Sequence, residues 1–118
     1  MNQVFLVGRL TKDPEVEKKD GGKKVSHITL AVQRPFKNVD NLYDTDFIRC
    51  VMWNAVAESA TEYCKTGDVI GVKGRLETDT YEDKDGNAKY FVQVVAERIS
   101  FISSKKTNIE EQEETEEE

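Results

Sequence analysis

The chain has 118 residues, 37% of them apolar and 34% charged, which is enough apolar material for one folded domain with one core. Its two cysteines, Cys50 and Cys64, lack the spacing of a zinc site, and a single histidine, His27, leaves His-pair metal sites and Ser-His-Asp catalysis without their residues. No apolar run near the start is long enough for a secretory signal or a membrane span. We therefore expect a cytoplasmic protein with no membrane association, no cofactor and no metal.

Charge is distributed unevenly along the chain. The 23 acidic residues outnumber the 17 Lys and Arg, which gives a net charge of −6. Seven of the acidic residues lie within the last nine positions, and without them positions 1–109 contain 16 acidic and 17 basic residues, a net charge of +1. The chain therefore consists of a near-neutral body followed by an acidic tail, and the two parts are interpreted separately.

Apolar and polar residues alternate with a period of two through most of the body, which predicts β-strands. The predicted strands cover residues 3–10, 24–33, 45–53, 69–81 and 89–102. Gly8 inside the first strand indicates a bulge or a sharp bend, and Pro35 is expected to end the second strand. Residues 37–44 form a predicted polar loop, and residues 83–87 form a hairpin turn with a glycine available for a left-handed position.

After the third strand the periodicity becomes helical. Apolar residues recur at i, i+1, i+4, i+7 and i+8, namely Val56, Ala57, Ala60, Tyr63 and Cys64. Asn54 is a suitable N-cap and Gly67 a suitable stop signal. The pattern predicts one short helix with an apolar stripe.

The order of strand, strand, strand, helix, strand, strand is typical of an all-β, five-stranded, antiparallel OB-fold barrel with one short helix between strands 3 and 4. We assign this domain to residues 1–104. Residues 105–118 contain one apolar residue, Ile109, and cannot bury enough surface to order themselves, so we predict a disordered acidic tail. OB-folds commonly bind oligonucleotides or oligosaccharides on the face of strands 2 and 3, but the fold alone does not define the function.

The third strand is the most informative segment for function. Phe47, Arg49 and Trp53 share one parity and therefore one face, whereas the other parity can supply the core. Two large aromatic side chains with a guanidinium between them suit unpaired bases, because every base has a face that can stack. The alternative is that a loop or a second subunit covers this face.

Two further groups combine basic and aromatic residues. In the fourth strand Lys73, Arg75 and Tyr81 share one parity and could extend the same groove, although two carboxylates of that parity weaken its positive potential. Arg34 and Phe36 flank Pro35 at the start of the second predicted loop. Three such groups on one barrel surface favour nucleic acid as the ligand.

The aspartate and cysteine residues of the sequence give no support for catalysis. Asp13, Asp40, Asp44 and Asp46 show no two-metal spacing, and aspartates at turns are ordinary. Cys50 and Cys64 are expected to be buried small apolar residues. We predict that the protein is not an enzyme.

The sequence resembles the bacterial-type single-stranded DNA-binding proteins, including those encoded by phages. The resemblance extends over roughly residues 2–102 and depends on the segments NQVFLVGRLTKDPEV, ITLAVQRPF, DFIRCVMWNAVAESATEYCKTGD and GVKGRLETDTYEDKDGNAKY. It implies an OB-fold homotetramer, with dimers formed partly through the first strands, that binds single-stranded DNA in the nucleoid by stacking and backbone neutralisation.

Site residues follow from the resemblance position by position. Base-stacking aromatics are implied at Phe36, Phe47, Trp53 and Tyr81. Basic positions along the DNA path are implied at Arg9, Arg34, Arg49, Lys73 and Arg75. The parity of the third strand independently places three of these residues, Phe47, Arg49 and Trp53, on one face.

The tail departs from the family pattern. Housekeeping members end in an acidic tip with a final apolar pair, which docks into replication and repair proteins. This chain ends in Glu116-Glu117-Glu118 without such a pair. Replication and repair proteins are therefore less favoured partners for this chain.

The leading hypothesis is a non-enzymatic protein that binds single-stranded DNA without sequence preference and protects it during replication, recombination and repair. The alternatives are an OB-fold module that docks a protein partner on its aromatic face, and an OB domain that binds RNA.

Overall fold

The computed structural model describes residues 1–104 of the chain. Their elements, in chain order, are β1 Val4–Leu10, β2 Glu17–Lys18, a 3-10 turn Asp20–Gly22, β3 Lys24–Lys37, β4 Tyr43–Trp53, α1 Asn54–Tyr63, β5 Val69–Glu82 and β6 Ala88–Ser103. The predicted acidic tail, residues 105–118, lies outside the described residues. The boundary at residue 104 therefore stays a prediction.

The five long strands and the helix confirm the predicted order of elements. The short strand β2 was not predicted. It pairs with the start of β3 through Glu17–Val25 and Lys18–Lys24, and two residues are too few to show an alternating pattern. The chain turns between these strands through Gly21 and Gly22, both in the left-handed region.

Pro35 does not end the second long strand, and this prediction was wrong. β3 continues to Lys37 because the regular pairing with β4 is interrupted between Gln33 and Lys37. A proline in such an irregular stretch removes no hydrogen bond from the ladder. The predicted polar loop is correspondingly short, and its turn is closed by Asn38, whose side-chain oxygen accepts the N–H groups of Asp40 and Leu42.

The strands form a closed barrel in the order β1-β5-β6-β4-β3, and β3 pairs back to β1. The expectation of a wholly antiparallel barrel was wrong at one junction, because β4 and β6 run parallel through Cys50–Val94 and Val51–Val95. A closed ring of five strands cannot alternate direction all the way round, so one junction must be parallel. The arrangement is the predicted all-β OB-fold barrel with one helix between its third and fourth long strands.

The core lies inside the barrel and under the helix. Its largest fully buried side chains include Ile28, Leu30, Met52 and Ile70. The helix α1 adds small apolar residues to the same cluster, among them Ala57. Small side chains allow the helix to approach the barrel closely, which explains why its apolar stripe contains alanine at two central positions.

The ends of the helix differ in part from the prediction. Asn54 is not an N-cap: it has a positive φ of 51°, and its side-chain oxygen accepts the N–H of Lys24 on β3. Among residues 1–104 no side chain caps the helix N-terminus. Gly67, the predicted stop signal, follows the helix with φ 87°, a conformation that favours glycine, and its N–H donates to the carbonyl oxygen of Leu10.

Two glycines allow backbones to approach closely at the barrel wall. β1 pairs with β5 without a register shift, so Gly8 marks no bulge, and a Cβ there would lie 2.5 Å from the carbonyl oxygen of Ala31. Gly74 lies at the register shift between β5 and β6, where a Cβ would overlap the carbonyl oxygen of Val95. At both positions the packing of the barrel requires the absence of a side chain.

We predict that Gly74→Ala destabilises the fold by about 3 kcal/mol or more, because the new methyl group meets backbone that cannot move aside. Gly71→Ala, three residues earlier in β5, is the matched control, because its nearest atom would be a side-chain carbon of Ile102 at 3.6 Å. Denaturant unfolding followed by Trp53 fluorescence measures both variants. Equal stabilities for the two variants would contradict the packing argument.

Candidate nucleic-acid interface

The outward side chains of β4 form the centre of an open aromatic surface. Phe47, Arg49 and Trp53 lie on the outer side of the strand, as the parity predicted, with 69% of Phe47 and 40% of Trp53 exposed. Val51 shares their side of the strand but is only 2% exposed, because it packs with Val25 and Val95. These three valines form an apolar floor between the exposed residues. We call the whole surface the aromatic face.

The strand β6 supplies an aromatic residue that the sequence analysis missed. The ring of Phe91 lies 6.0 Å from the ring of Tyr81, centroid to centroid, and the guanidinium carbon of Arg49 lies 5.5 Å from the same Phe91 ring. Tyr81, Phe91 and Arg49 therefore form a continuous array that connects β5, β6 and β4. Phe91 has the parity of Val95, but only the pairing of β6 with β4 shows that this parity faces outward.

Arg49 differs from Arg34 and Arg75 in its partners. Within residues 1–104 it has no carboxylate partner, and its guanidinium contacts the Phe91 ring instead. The β3 pairing places Thr29 and His27 beside Arg49 and Val51. Arg49 therefore presents an uncompensated positive charge in the middle of the aromatic face.

Arg34 and Arg75 are each paired with a carboxylate. The Nε of Arg34 donates to Asp46 at 3.1 Å and its Nη2 donates to the same carboxylate at 2.9 Å. This pairing raises the pKa of Arg34 and lowers the pKa of Asp46 below its usual range. Arg75 lies opposite Val95 at the edge of the floor, and its Nη1 donates to Glu77 at 3.0 Å.

The remaining predicted residues lie at the edges of the aromatic face or off it. Phe36 is exposed near the tip of the β3–β4 hairpin. Arg9 borders a depression beside Ala31, the cross-strand partner of Phe47, and donates to the carbonyl oxygen of Gly67. Lys73 is not brought to this face.

Lys73 lies on another part of the barrel surface. Its cross-strand neighbours are Phe5 on β1 and Arg98 on β6, and all three line a shallow cavity of about 320 Å³. Strand parity alone could not reveal this separation, because the register shift at Gly74 and the curvature of the barrel divide β5 between two surfaces.

Within residues 1–104 no three His, Cys, Asp or Glu side chains gather as metal ligands, and no helix there is long and apolar enough to cross a membrane. Cys50 is buried, and burial raises its pKa to about 11. Asp13 accepts hydrogen bonds from the N–H and the hydroxyl of Thr66, so it joins two loops.

The pKa of His27 is sensitive to the positive charge of Arg49 on the aromatic face. Partial burial lowers its pKa, and the positive charge of Arg49 lowers it further. Both effects favour the neutral imidazole. The single histidine of the chain therefore lies within the electrostatic reach of the central arginine.

The open outer sheet of this OB barrel combines aromatic rings, an apolar floor and an arginine that has no carboxylate partner within residues 1–104. These are the features of the oligonucleotide-binding class of OB barrels. Residues 1–102 match the Single-strand binding protein family, and the chain belongs to that family.

Individual relatives agree with this assignment. The chain is 42% identical to Single-stranded DNA-binding protein B of Bacillus subtilis over 104 residues, which cover 88% of this chain and 92% of the relative. It is 48% identical to Single-stranded DNA-binding protein 3 of Listeria innocua over 105 residues, covering 89% of this chain but 66% of the relative. It is 44% identical to Single-stranded DNA-binding protein 2 of Listeria monocytogenes over 110 residues, 93% of this chain and 69% of the relative.

We predict that Arg49→Gln raises the pKa of His27, because the substitution removes a nearby positive charge. The pKa should stay below the ordinary value for a histidine, since burial, the larger cause, remains. NMR titration measures this directly, because the chain has a single histidine. Arg75→Gln is the control and should leave the titration unchanged. An unchanged His27 pKa in Arg49→Gln would contradict the described electrostatics.

Proposed function

We propose that this protein binds single-stranded DNA without sequence preference and protects it during replication, recombination and repair, and that it acts without catalysis in the cytoplasm, associated with the nucleoid. The observation that supports this most directly is the aromatic face, where Tyr81, Phe91 and Arg49 form one array beside Phe47 and Trp53. Membership of the Single-strand binding protein family supports the same ligand.

The chemistry of the face favours a single strand over a duplex. Aromatic rings bind bases by stacking, and in a duplex the faces of the bases are already stacked on one another. Each base–aromatic stack is worth about 1–3 kcal/mol and tolerates any base, because every base has a π-face. The apolar floor of Val25, Val51 and Val95 excludes water beneath the bound bases. Binding is therefore expected to depend little on sequence.

The proposed contacts fall into two groups. We assign base stacking to Phe36, Phe47, Trp53, Tyr81 and Phe91. We assign contacts with the phosphate backbone to Arg9, Arg34, Arg49 and Arg75, and we leave out Lys73 because it lies beside Phe5 on another surface. Within the second group Arg49 should contribute most, because it has no carboxylate partner among the described residues and lies at the centre of the stacking array.

We further propose that the protein is a homotetramer. Four identical subunits in a closed assembly commonly use two different self-complementary interfaces. Two exposed apolar surfaces of the barrel are candidates for these two interfaces. The first is on β1 and includes Phe5, 69% exposed, and Val7, 59% exposed. The second is on the back of the β5–β6 hairpin and includes Leu76, Tyr90 and Val92, all exposed. Several linked binding sites would also compensate for the weak charge of one barrel.

We predict that Phe47→Ala, Trp53→Ala and Phe91→Ala each weaken binding to an oligo-dT strand by about 1–3 kcal/mol. Fluorescence anisotropy of a labelled strand measures all three variants. Tyr63→Ala is the matched control, because Tyr63 is an exposed aromatic residue on α1 and should have no effect.

Two results would contradict the stacking assignment. Unchanged affinity in all three variants would remove the aromatic face from the DNA path. Loss of the oligomer in these variants would instead make the face a subunit interface.

A separate competition experiment tests the nucleic acid. Competition by oligo-U as strong as by oligo-dT would favour RNA as the ligand.

We predict that the chain has four times its monomer mass of 13.5 kDa in light scattering at micromolar concentration. Val7→Asp should reduce that mass to two chains, because it places a charge in the β1 surface and leaves the hairpin surface intact. Val39→Asp is the control, since Val39 lies exposed in the β3–β4 turn. A wild-type mass of one chain would refute the tetramer.

A further inference from the structure

Two arginines near the proposed DNA path are held by carboxylates of the same chain. Arg34 on β3 donates hydrogen bonds to Asp46 on β4 through both Nε and Nη2, and its Nη1 lies 3.7 Å from a second carboxylate, that of Asp44. Arg75 makes a single hydrogen bond to Glu77, two residues along β5. We call Arg34 and Arg75 the paired arginines.

We propose that Asp46 and Glu77 compete with DNA phosphates for the paired arginines, and that this competition sets both the affinity and the salt dependence of binding. The proposal rests on the proposed function, because it requires that the barrel binds single-stranded DNA.

The geometry permits an exchange of partners. Both arginine side chains are a little less than half exposed, so a phosphate can approach them from solvent. Exposed ion pairs are weak and open readily, whereas a fully buried pair would not exchange. Phosphate and carboxylate oxygens also accept the same forked hydrogen bonds from arginine, so one can replace the other without rearranging the side chain.

The exchange has an electrostatic consequence that an unpaired arginine does not show. When a phosphate replaces Asp46 on Arg34, the carboxylate stays beside the bound phosphate and repels it. The free carboxylate then attracts a cation, which offsets the counterion that the DNA released. A paired arginine should therefore add less affinity and less salt dependence than Arg49, which has no carboxylate partner among the described residues.

The other possibility is that the carboxylates act as positioning residues. An ion pair can fix an arginine in the orientation that a phosphate requires, and removing the carboxylate would then weaken binding. The two roles predict opposite signs for the same substitution. The sign of the change in affinity therefore distinguishes them.

The test compares Asp46→Asn and Glu77→Gln with wild type in binding to an oligo-dT strand at several NaCl concentrations between about 50 and 200 mM. Each variant should bind about two- to fivefold more tightly at the low-salt end, from the typical strength of an exposed ion pair. The slope of log K against log salt should steepen by up to about 0.7 for each arginine released.

Two control variants match the charge change elsewhere on the surface. Asp20→Asn in the 3-10 turn and Glu62→Gln on α1 each remove one negative charge that has no arginine partner within residues 1–104. They should leave both affinity and slope close to wild type. Equal gains in the controls would show a general charge effect and overturn the proposal.

A double variant tests whether the gain in DNA affinity depends on Arg34. Arg34→Gln should weaken binding only slightly, and Asp46→Asn should give no gain when Arg34→Gln is already present. Unchanged or weaker binding in Asp46→Asn and Glu77→Gln would overturn the competition. Failure of the proposed function is a separate result, since wild type would then not bind the oligo-dT strand at low salt.

Discussion

Five strands in a closed ring cannot each run antiparallel to both neighbours, and here the junction that breaks the alternation is the parallel contact of β4 with β6. This contact is two residue pairs long, yet it brings Val51 beside Val95 and thereby forms the apolar floor. It also brings Phe91 within reach of Arg49. The array that extends from β4 through β6 to Tyr81 on β5 therefore exists because of the way the barrel closes.

The strand β5 divides the surface of the barrel into two parts. At Gly74 its register with β6 shifts, and a side chain at that position would not fit. Before this point β5 contributes Lys73 to a surface that includes the exposed Phe5 of β1. Beyond it β5 contributes Arg75 and Tyr81 to the aromatic face. Assembly and DNA binding can therefore use separate surfaces of one small barrel, as our proposals require.

The charges of the aromatic face explain how a near-neutral domain can bind a polyanion. Stacking does not depend on net charge, so the aromatic rings and the valine floor can provide sequence-independent binding. Of the arginines, Arg49 contacts a ring, whereas Arg34 and Arg75 contact Asp46 and Glu77. A face of this kind favours bases over phosphates, and its affinity can be adjusted through the carboxylates rather than through new positive charges.

The sequence by itself determined the order of the long strands and the helix, and it determined which side chains of β4 face outward, because alternation is a local property of an extended chain. The sequence did not predict the features that depend on contacts between residues distant along the chain. Pro35 continues a strand because the pairing is irregular there, Lys73 lies away from the face that its parity suggested, and Phe91 joins that face only through the register of β6 with β4. The pairing of Arg34 with Asp46 likewise depends on the register of β3 with β4. Register and barrel curvature arise from packing across the whole domain, so only the tertiary structure decided them.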